Sequence, residues 1–283
     1  MTSEYWTRKK QTRRRVLQGA GVGTLGFAAF SLVGCGDDDD GGEGGSLQLA
    51  TPTPAAGATP IDPFAGAKKG GTLRLDNSID PPTIDPYGNV SVRTKTMANY
   101  VYSRLMKYKT GPEFKQGNVR PTGDLAEKVE ASADGLTYTF RIRQGIKFHN
   151  LAPVNGRALG VDDLRFSWAK ATDVKNSNRG QLSSVDKVEF PDDRTVVMKL
   201  KSPNAAFLDV IADASLLYIV PTESESRFSP AKTMIGTGPW VFESYQPSIG
   251  FKFKKNPEWY ETGFPLLDAV EITTIPDYAN RIA

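Results

Sequence analysis

His149 and Cys35 are the only histidine and the only cysteine in the 283 residues, and this removes most chemistry that runs on imidazole or thiolate. A two-histidine metal site, or a relay between imidazoles, cannot form. A Ser-His-Asp triad would need His149 beside a serine, whereas Phe148-His149-Asn150 reads as a turn at a strand end, where a lone histidine serves structure. Asp162-Asp163 and Asp192-Asp193 are sequence neighbours, so their side chains diverge along a helix or strand and cannot oppose each other across a glycosidic bond. No glycine-rich phosphate loop follows a strand, since Gly19 to Gly26 lie in an apolar leader. The expectation is a protein that is not an enzyme and holds no metal or cofactor.

Cys35 points to a different chemistry. Basic residues, an apolar run from Val16 to Val33 and small side chains precede it in the order of an export signal. Thr12-Arg13-Arg14 with Val16 and Leu17 resembles a twin-arginine signal, and Leu32-Val33-Gly34-Cys35 resembles a lipobox. The competing reading is a transmembrane anchor, because about 18 apolar residues nearly span a bilayer. Gly19, Gly21, Gly23 and Gly26 make the run a poor helix. Residues 1–34 are therefore read as a lipoprotein signal, with Cys35 as the lipidated first residue of a chain held to the membrane by its lipids. With no second cysteine, the mature part needs a packed core in place of disulfides.

The formal charge of +3 arises in the leader, which carries six basic side chains and one acid; the remainder has 29 basic and 31 acidic residues, a balance of −2. That excludes a basic stripe, and with it nucleic acid as a partner. Residues 35–68 hold Asp37-Asp38-Asp39-Asp40, glycine pairs and Thr51-Pro52-Thr53-Pro54. Such a stretch has too little apolar surface to order itself and reads as a flexible tether. As a calcium loop the aspartates lack the glycine turn and the distal glutamate.

Ordered structure is expected from Lys69-Gly70-Gly71, with a short strand from Thr72. A stiff loop rich in proline and aspartate follows (Ser78 to Tyr87), then a helix over about 93–106 with Met97, Val101 and Leu105 on one face. Strict alternation from Leu136 to Arg143 marks a half-buried strand. Val161 to Thr172 reads as a helix with Asp162 and Asp163 at its N-terminal dipole and Leu164, Trp168 and Ala171 inward. A hairpin pairs 185–190 with 194–200, placing Val196, Met198 and Leu200 on one side. Ser202 is expected to cap a helix carrying Phe207, Leu208 and Ile211. Beyond it come a strand at 216–220, a Gly236-Thr237-Gly238-Pro239 turn, a hairpin at 240–253 and a strand at 269–275. The mixture predicts an α/β or α+β assembly in more than one lobe.

Taken in order, several blocks are similar to the extracellular solute-binding proteins of family 5, which serve oligopeptide, dipeptide and nickel ABC importers. They are Gly70-Gly71-Thr72-Leu73 with Ile84-Asp85-Pro86; Leu125 to Glu130 and Asp134 to Arg143; Gly145-Ile146-Lys147-Phe148-His149; Asp162 to Trp168; Gly236 to Trp240; and Asn256-Pro257-Glu258-Trp259-Tyr260. Where that family has a tight Asp-Gly turn after Phe-His, this chain has the longer loop Asn150 to Arg157.

The resemblance implies a type II periplasmic-binding-protein clamshell of α/β class. Residues 69–102 would be the first part of lobe I, 103–220 an inserted small subdomain, and 221–283 the second part of lobe I, cut before lobe II within a helix capped by Asp277. It further implies capture of a peptide or other small solute by a monomer outside the cytoplasm, in the periplasm or at the cell surface, and delivery to ABC permease transmembrane subunits. An exported receptor of the same fold, or an exported hydrolase, are the alternatives. By position in the family, Asn89, Val90, Ser91 and Val92 would offer main-chain contacts to ligand, and Asn178 and Arg179 would face the cleft. Tyr87 and Trp240 read as aromatic floor or as core.

Overall fold

A computed structural model of the chain describes residues 64–111, 117, 120–277 and 279, all within one compact unit. The signal, Cys35 and the tether up to residue 63 lie outside these residues, as do 278 and 280–283.

Ordered contacts begin within the expected tether: Phe64 meets the ring of Phe264 edge-on at 5.0 Å, and Ala67 N donates to Phe64 O. β1 (Thr72–Asn77) follows, then α1 (Val92–Val101), β2 (Met106–Tyr108), β3 (Pro121–Gly123), β4 (Ala126–Ala131) and β5 (Thr137–Ile142). Next are α2 (Val161–Thr172), a 3₁₀ turn (Arg179–Leu182), β6 (Val185–Asp192), β7 (Thr195–Leu200) and α3 (Phe207–Ala212). β8 (Trp240–Gln246), β9 (Gly250–Lys255) and β10 (Ala269–Thr274) complete the order.

Two four-stranded sheets result. One has the order β1-β10-β9-β8, with β1 parallel to β10 and the other pairs antiparallel; the other is β4-β5-β7-β6, wholly antiparallel. A short ribbon joins β2 and β3. The alternation in β5 buries Tyr138, Phe140 and Ile142, and Val196, Met198 and Leu200 of β7 join them. They belong to a core drawn from residues 105–219, which also takes Leu164 and Ala171 of α2 and Phe207 and Ile211 of α3. A second core gathers Ile84, Met97, Val101, Phe242, Phe251, Phe253, Val270 and Ile272 around α1 and the first sheet.

Three expectations are corrected. α1 stops at Val101, not near 106, because Gly238 N donates to Val101 O at 2.8 Å and takes the carbonyl that a further turn would use. Leu105 and Met106, past the end, join the other core. α3 begins at Phe207 with Ala206 before it, so Ser202 is no cap; Asn204 accepts from both Ala206 N and Phe207 N instead. Residues 216–220 enter no sheet: Leu216 ends a turn and 217–220 have no regular secondary structure. Leu217 and Ile219 face the first core while Tyr218 and Val220 face the second, so a period of two holds over 217–220, whereas Leu216 joins Leu217 in the first core.

Candidate functional site

The loop between β1 and α1 is shaped by its own side chains. Pro81, Pro82 and Pro86 supply no N–H, so the remaining amides bond to short polar groups nearby. Asp85 N donates to Thr83 Oγ1 (3.1 Å), Tyr87 N to Asp85 Oδ1 (2.9 Å), and Ser91 N to Asn89 Oδ1 (2.8 Å). Burial raises the Asp85 carboxyl above its ordinary range, with the Tyr87 amide opposing and Glu225 adding to the rise. From this base Val90 and Val92 project into solvent, 51% and 78% exposed, with Asn89 and Ser91 half-buried between them.

Tyr87 points the other way. Its hydroxyl donates to Tyr218 O at 2.6 Å and reaches Ser167 O at 3.4 Å, while its ring packs edge-on to Tyr218 at 6.2 Å. Burial pushes its ionisation far above the usual phenol value. Tyr87 therefore fastens the loop to the segment 216–220.

Asn178 reaches the same segment from the other side. Asn176, buried after α2, donates to Ala171 O (2.8 Å) and accepts from Asn178 N (3.1 Å). Asn178 Nδ2 then donates to Ser215 O (3.3 Å). Next door, Ala214 O accepts from Asn99 Nδ2 of α1 (3.1 Å) and from the Tyr218 hydroxyl. The loops that carry residues 89–92 and 178–179, placed in the cleft by resemblance alone, are thus tied to one strap, residues 214–218. Arg179 opens the 3₁₀ turn in an exposed position, with no hydrogen bond or ion pair from its guanidinium to another described residue. Trp240 stands apart: it is the first residue of β8, opposite Lys255, and packs half-buried on the second core.

Two buried polar knots hold the strap's surroundings. Asp163, 1% exposed, accepts from Arg157 Nη2 (2.6 Å) and Nη1 (2.8 Å), from Thr222 N (3.0 Å) and from Gly160 N (2.9 Å). Arg157 also donates to both oxygens of Glu223, at 2.7 and 2.6 Å. The carboxylates hold the guanidinium charged, Asp163 first, and Arg157 in turn holds the Glu223 carboxyl below its ordinary range. The second knot is His149, 2% exposed: Gly236 N donates to Nδ1 (3.4 Å), and Nε2 lies 3.0 Å from Gly238 O. An acceptor at Nδ1 and a carbonyl at Nε2 require the neutral ring with its proton on Nε2. Burial accordingly lowers its pKa to about 4. Both ring nitrogens are spent on backbone groups, so His149 has no free lone pair for a substrate.

The region from β3 onward decides the family. Residues 120–283 match the family described as bacterial extracellular solute-binding proteins, family 5 Middle. The chain belongs to that family. Over 206 residues, 71% of this chain and 37% of the relative, it is 30% identical to the glutathione-binding protein GsiB of Pectobacterium atrosepticum. The structure superposes on the periplasmic binding protein DppA from Helicobacter pylori, solved with the peptide STSA, with a TM-score of 0.66 and 25% identity, over 76% of this chain and 44% of that one. AgaA from A. tumefacien R10, solved with agropinic acid, gives 0.65 and 28% over 75% and 41%. The family fold is thus the mixed α/β fold of periplasmic binding proteins, and the chain spans about two-fifths of the length of the relatives it matches.

Among the described residues no helix is long and apolar enough to cross a membrane, and no three His, Cys, Asp or Glu side chains cluster as metal ligands do. Sequence reasoning missed Asn99, Tyr218 and the Arg157–Asp163–Glu223 knot. One signal was available: Asp163 shares a helix stripe with Ser167 and Ala171, at i, i+4 and i+8, and all three are buried. A carboxylate on an apolar stripe calls for a cation from elsewhere in the chain.

Proposed function

We propose that this chain supplies one wall of the ligand cleft in an extracytoplasmic binding protein that captures a short peptide and hands it to ABC permease transmembrane subunits. In this reading residues 69–102 and 221–283 belong to the first lobe and 103–220 to the inserted subdomain, in line with the two separate cores. The wall consists of Asn89, Val90, Ser91 and Val92 with Asn178 and Arg179, and the ligand is held mainly by backbone and amide groups and by one cation. Tyr87 and Trp240 belong to the scaffold behind it. Cys35, lipidated, tethers a monomer to the outer face of the membrane.

The observation that supports this reading is the strap at 214–218, which bonds to Tyr87, to Asn99 and to Asn178. The names of two relatives support a short peptide, since glutathione and STSA are both short peptides, while AgaA was solved with agropinic acid. Closing such a wall over a peptide removes water and sharpens each hydrogen bond. The test is thermal unfolding of the full protein with glutathione, mixed tripeptides and agropinic acid. A ligand at about 100 times its Kd adds about 2.7 kcal/mol. A rise in Tm with a peptide supports the reading; a rise with agropinic acid alone, or with none of these, contradicts it.

A further inference from the structure

Lys95 lies on α1 and is 5% exposed, a rare place for an ammonium without a carboxylate beside it. Nζ donates to Pro86 O at 2.6 Å and stands 5.4 Å from the centroid of the Tyr218 ring. A lysine has three N–H groups, and here one carbonyl and one aromatic face receive them. Its own carbonyl is taken by Asn99 Nδ2 (2.7 Å) and by the Tyr218 hydroxyl (3.4 Å), so Lys95 touches the loop, the helix and the strap together.

What this lysine does follows from an inventory of the loop's attachments. Within 83–91 the bonds Asp85 N to Thr83, Tyr87 N to Asp85 and Ser91 N to Asn89 are local and tie the loop only to itself, while Ile84 packs in the second core and Ser91 O accepts from Lys95 N. Four side-chain bonds reach the rest: Thr94 Oγ1 to Thr83 O, Lys95 Nζ to Pro86 O, and the Tyr87 hydroxyl to Tyr218 O and, at 3.4 Å, to Ser167 O. Thr94 grips the entrance. Only Lys95 and Tyr87 grip the part that leads directly into Asn89 to Val92.

We propose that Lys95 is a positioning residue for the candidate binding wall, its N–H group fixing Pro86 and hence the path of residues 87–92 against the strap. The proposal rests on the reading of 89–92 as ligand wall. The charge is incidental and the donor is what the loop uses. Burial, only partly offset by Asp85 of the loop and Asp213 beyond α3, lowers the Lys95 pKa to about 8. The other titratable neighbours are the Tyr218 phenol, with Arg104 beyond it, and Glu225 and Lys170 around Asp85. A neutral amine still donates to Pro86 O. In the opened loop Lys95 regains water and its ordinary pKa, so opening takes up a proton and becomes harder as pH rises.

The test is amide exchange of residues 85–92, corrected for intrinsic rates, in the full wild-type protein and in Lys95→Met, which keeps the stem and removes the donor. Loss of one such bond predicts exchange about tenfold faster in the variant at neutral pH. In the wild type, opening should fall about tenfold between about pH 7 and pH 9. The variant should show no such trend. Titration with glutathione or a tripeptide should give an affinity about tenfold weaker in the variant. Unchanged exchange in Lys95→Met, or the same pH trend in both proteins, overturns the role given to Lys95. Faster exchange with unaltered peptide affinity overturns the assignment of 89–92 to the ligand wall and leaves the anchoring of Pro86 standing.

Discussion

Mild acid should destabilise this protein through one ring. His149 is held neutral by an N–H aimed at Nδ1 and a carbonyl at Nε2, so a second proton would face a donor and sit in an unsolvated interior. Its pKa, lowered from 6.5 to about 4, lies below that of the unfolded chain, which therefore binds the proton first. Its contribution is complete above about pH 6.5, declines as pH falls towards about 4, and is constant below that. A pKa difference of about 2.5 corresponds to about 3 kcal/mol, most of it already lost at about pH 4.5. That is a large share of the 5–15 kcal/mol typical of a domain. Urea denaturation at about pH 7.5 and pH 4.5, in wild type and in His149→Gln, isolates the effect because the carboxylates titrate alike in both. The wild type should lose about 2–3 kcal/mol more than the variant over that interval. Equal losses would refute the neutral, backbone-bound ring.

Other outcomes follow from the same contacts. A Cβ on Gly236 would stand 2.2 Å from Val101 O, backbone that has no room to retreat. Gly236→Ala should therefore cost about 2–3 kcal/mol and lower Tm by several degrees, and an unchanged melting curve would count against this packing. Arg157→Met leaves the buried Asp163 carboxylate without its cation, at a cost of about 3–5 kcal/mol in denaturant titrations. Adding Asp163→Asn to that variant should recover part of the loss, and no recovery would mean the pair is not coupled.

Elements with a clean period were legible in the chain. α2 occupies the residues its pattern marked, and both hairpins formed where alternating runs flanked turn residues. The failures share one cause, a tertiary partner that local pattern does not display. Val101 would have continued its helix had Gly238 not taken its carbonyl. Residues 216–220 have the composition and alternation of a strand, yet Val220 N finds Ser167 Oγ, Ile219 N finds Ser103 O, and Tyr218 O finds Tyr87. A segment between two cores is bonded by the Ser167 and Tyr87 side chains and by the Ser103 carbonyl, and nothing within its own residues announces that. The candidate wall followed from resemblance; its connection through 214–218 depends on contacts between residues more than thirty positions apart.

The central claim is that the loops at 85–92 and 176–179 form one ligand-bearing surface. Backbone amide exchange of the full protein, with and without saturating glutathione or the tripeptide that gives the largest thermal shift, measures it directly. The account predicts slower exchange in both loops together, with the sheet β4-β5-β7-β6 unaffected. Protection confined to one loop, or appearing on that sheet while both loops stay unchanged, would contradict it.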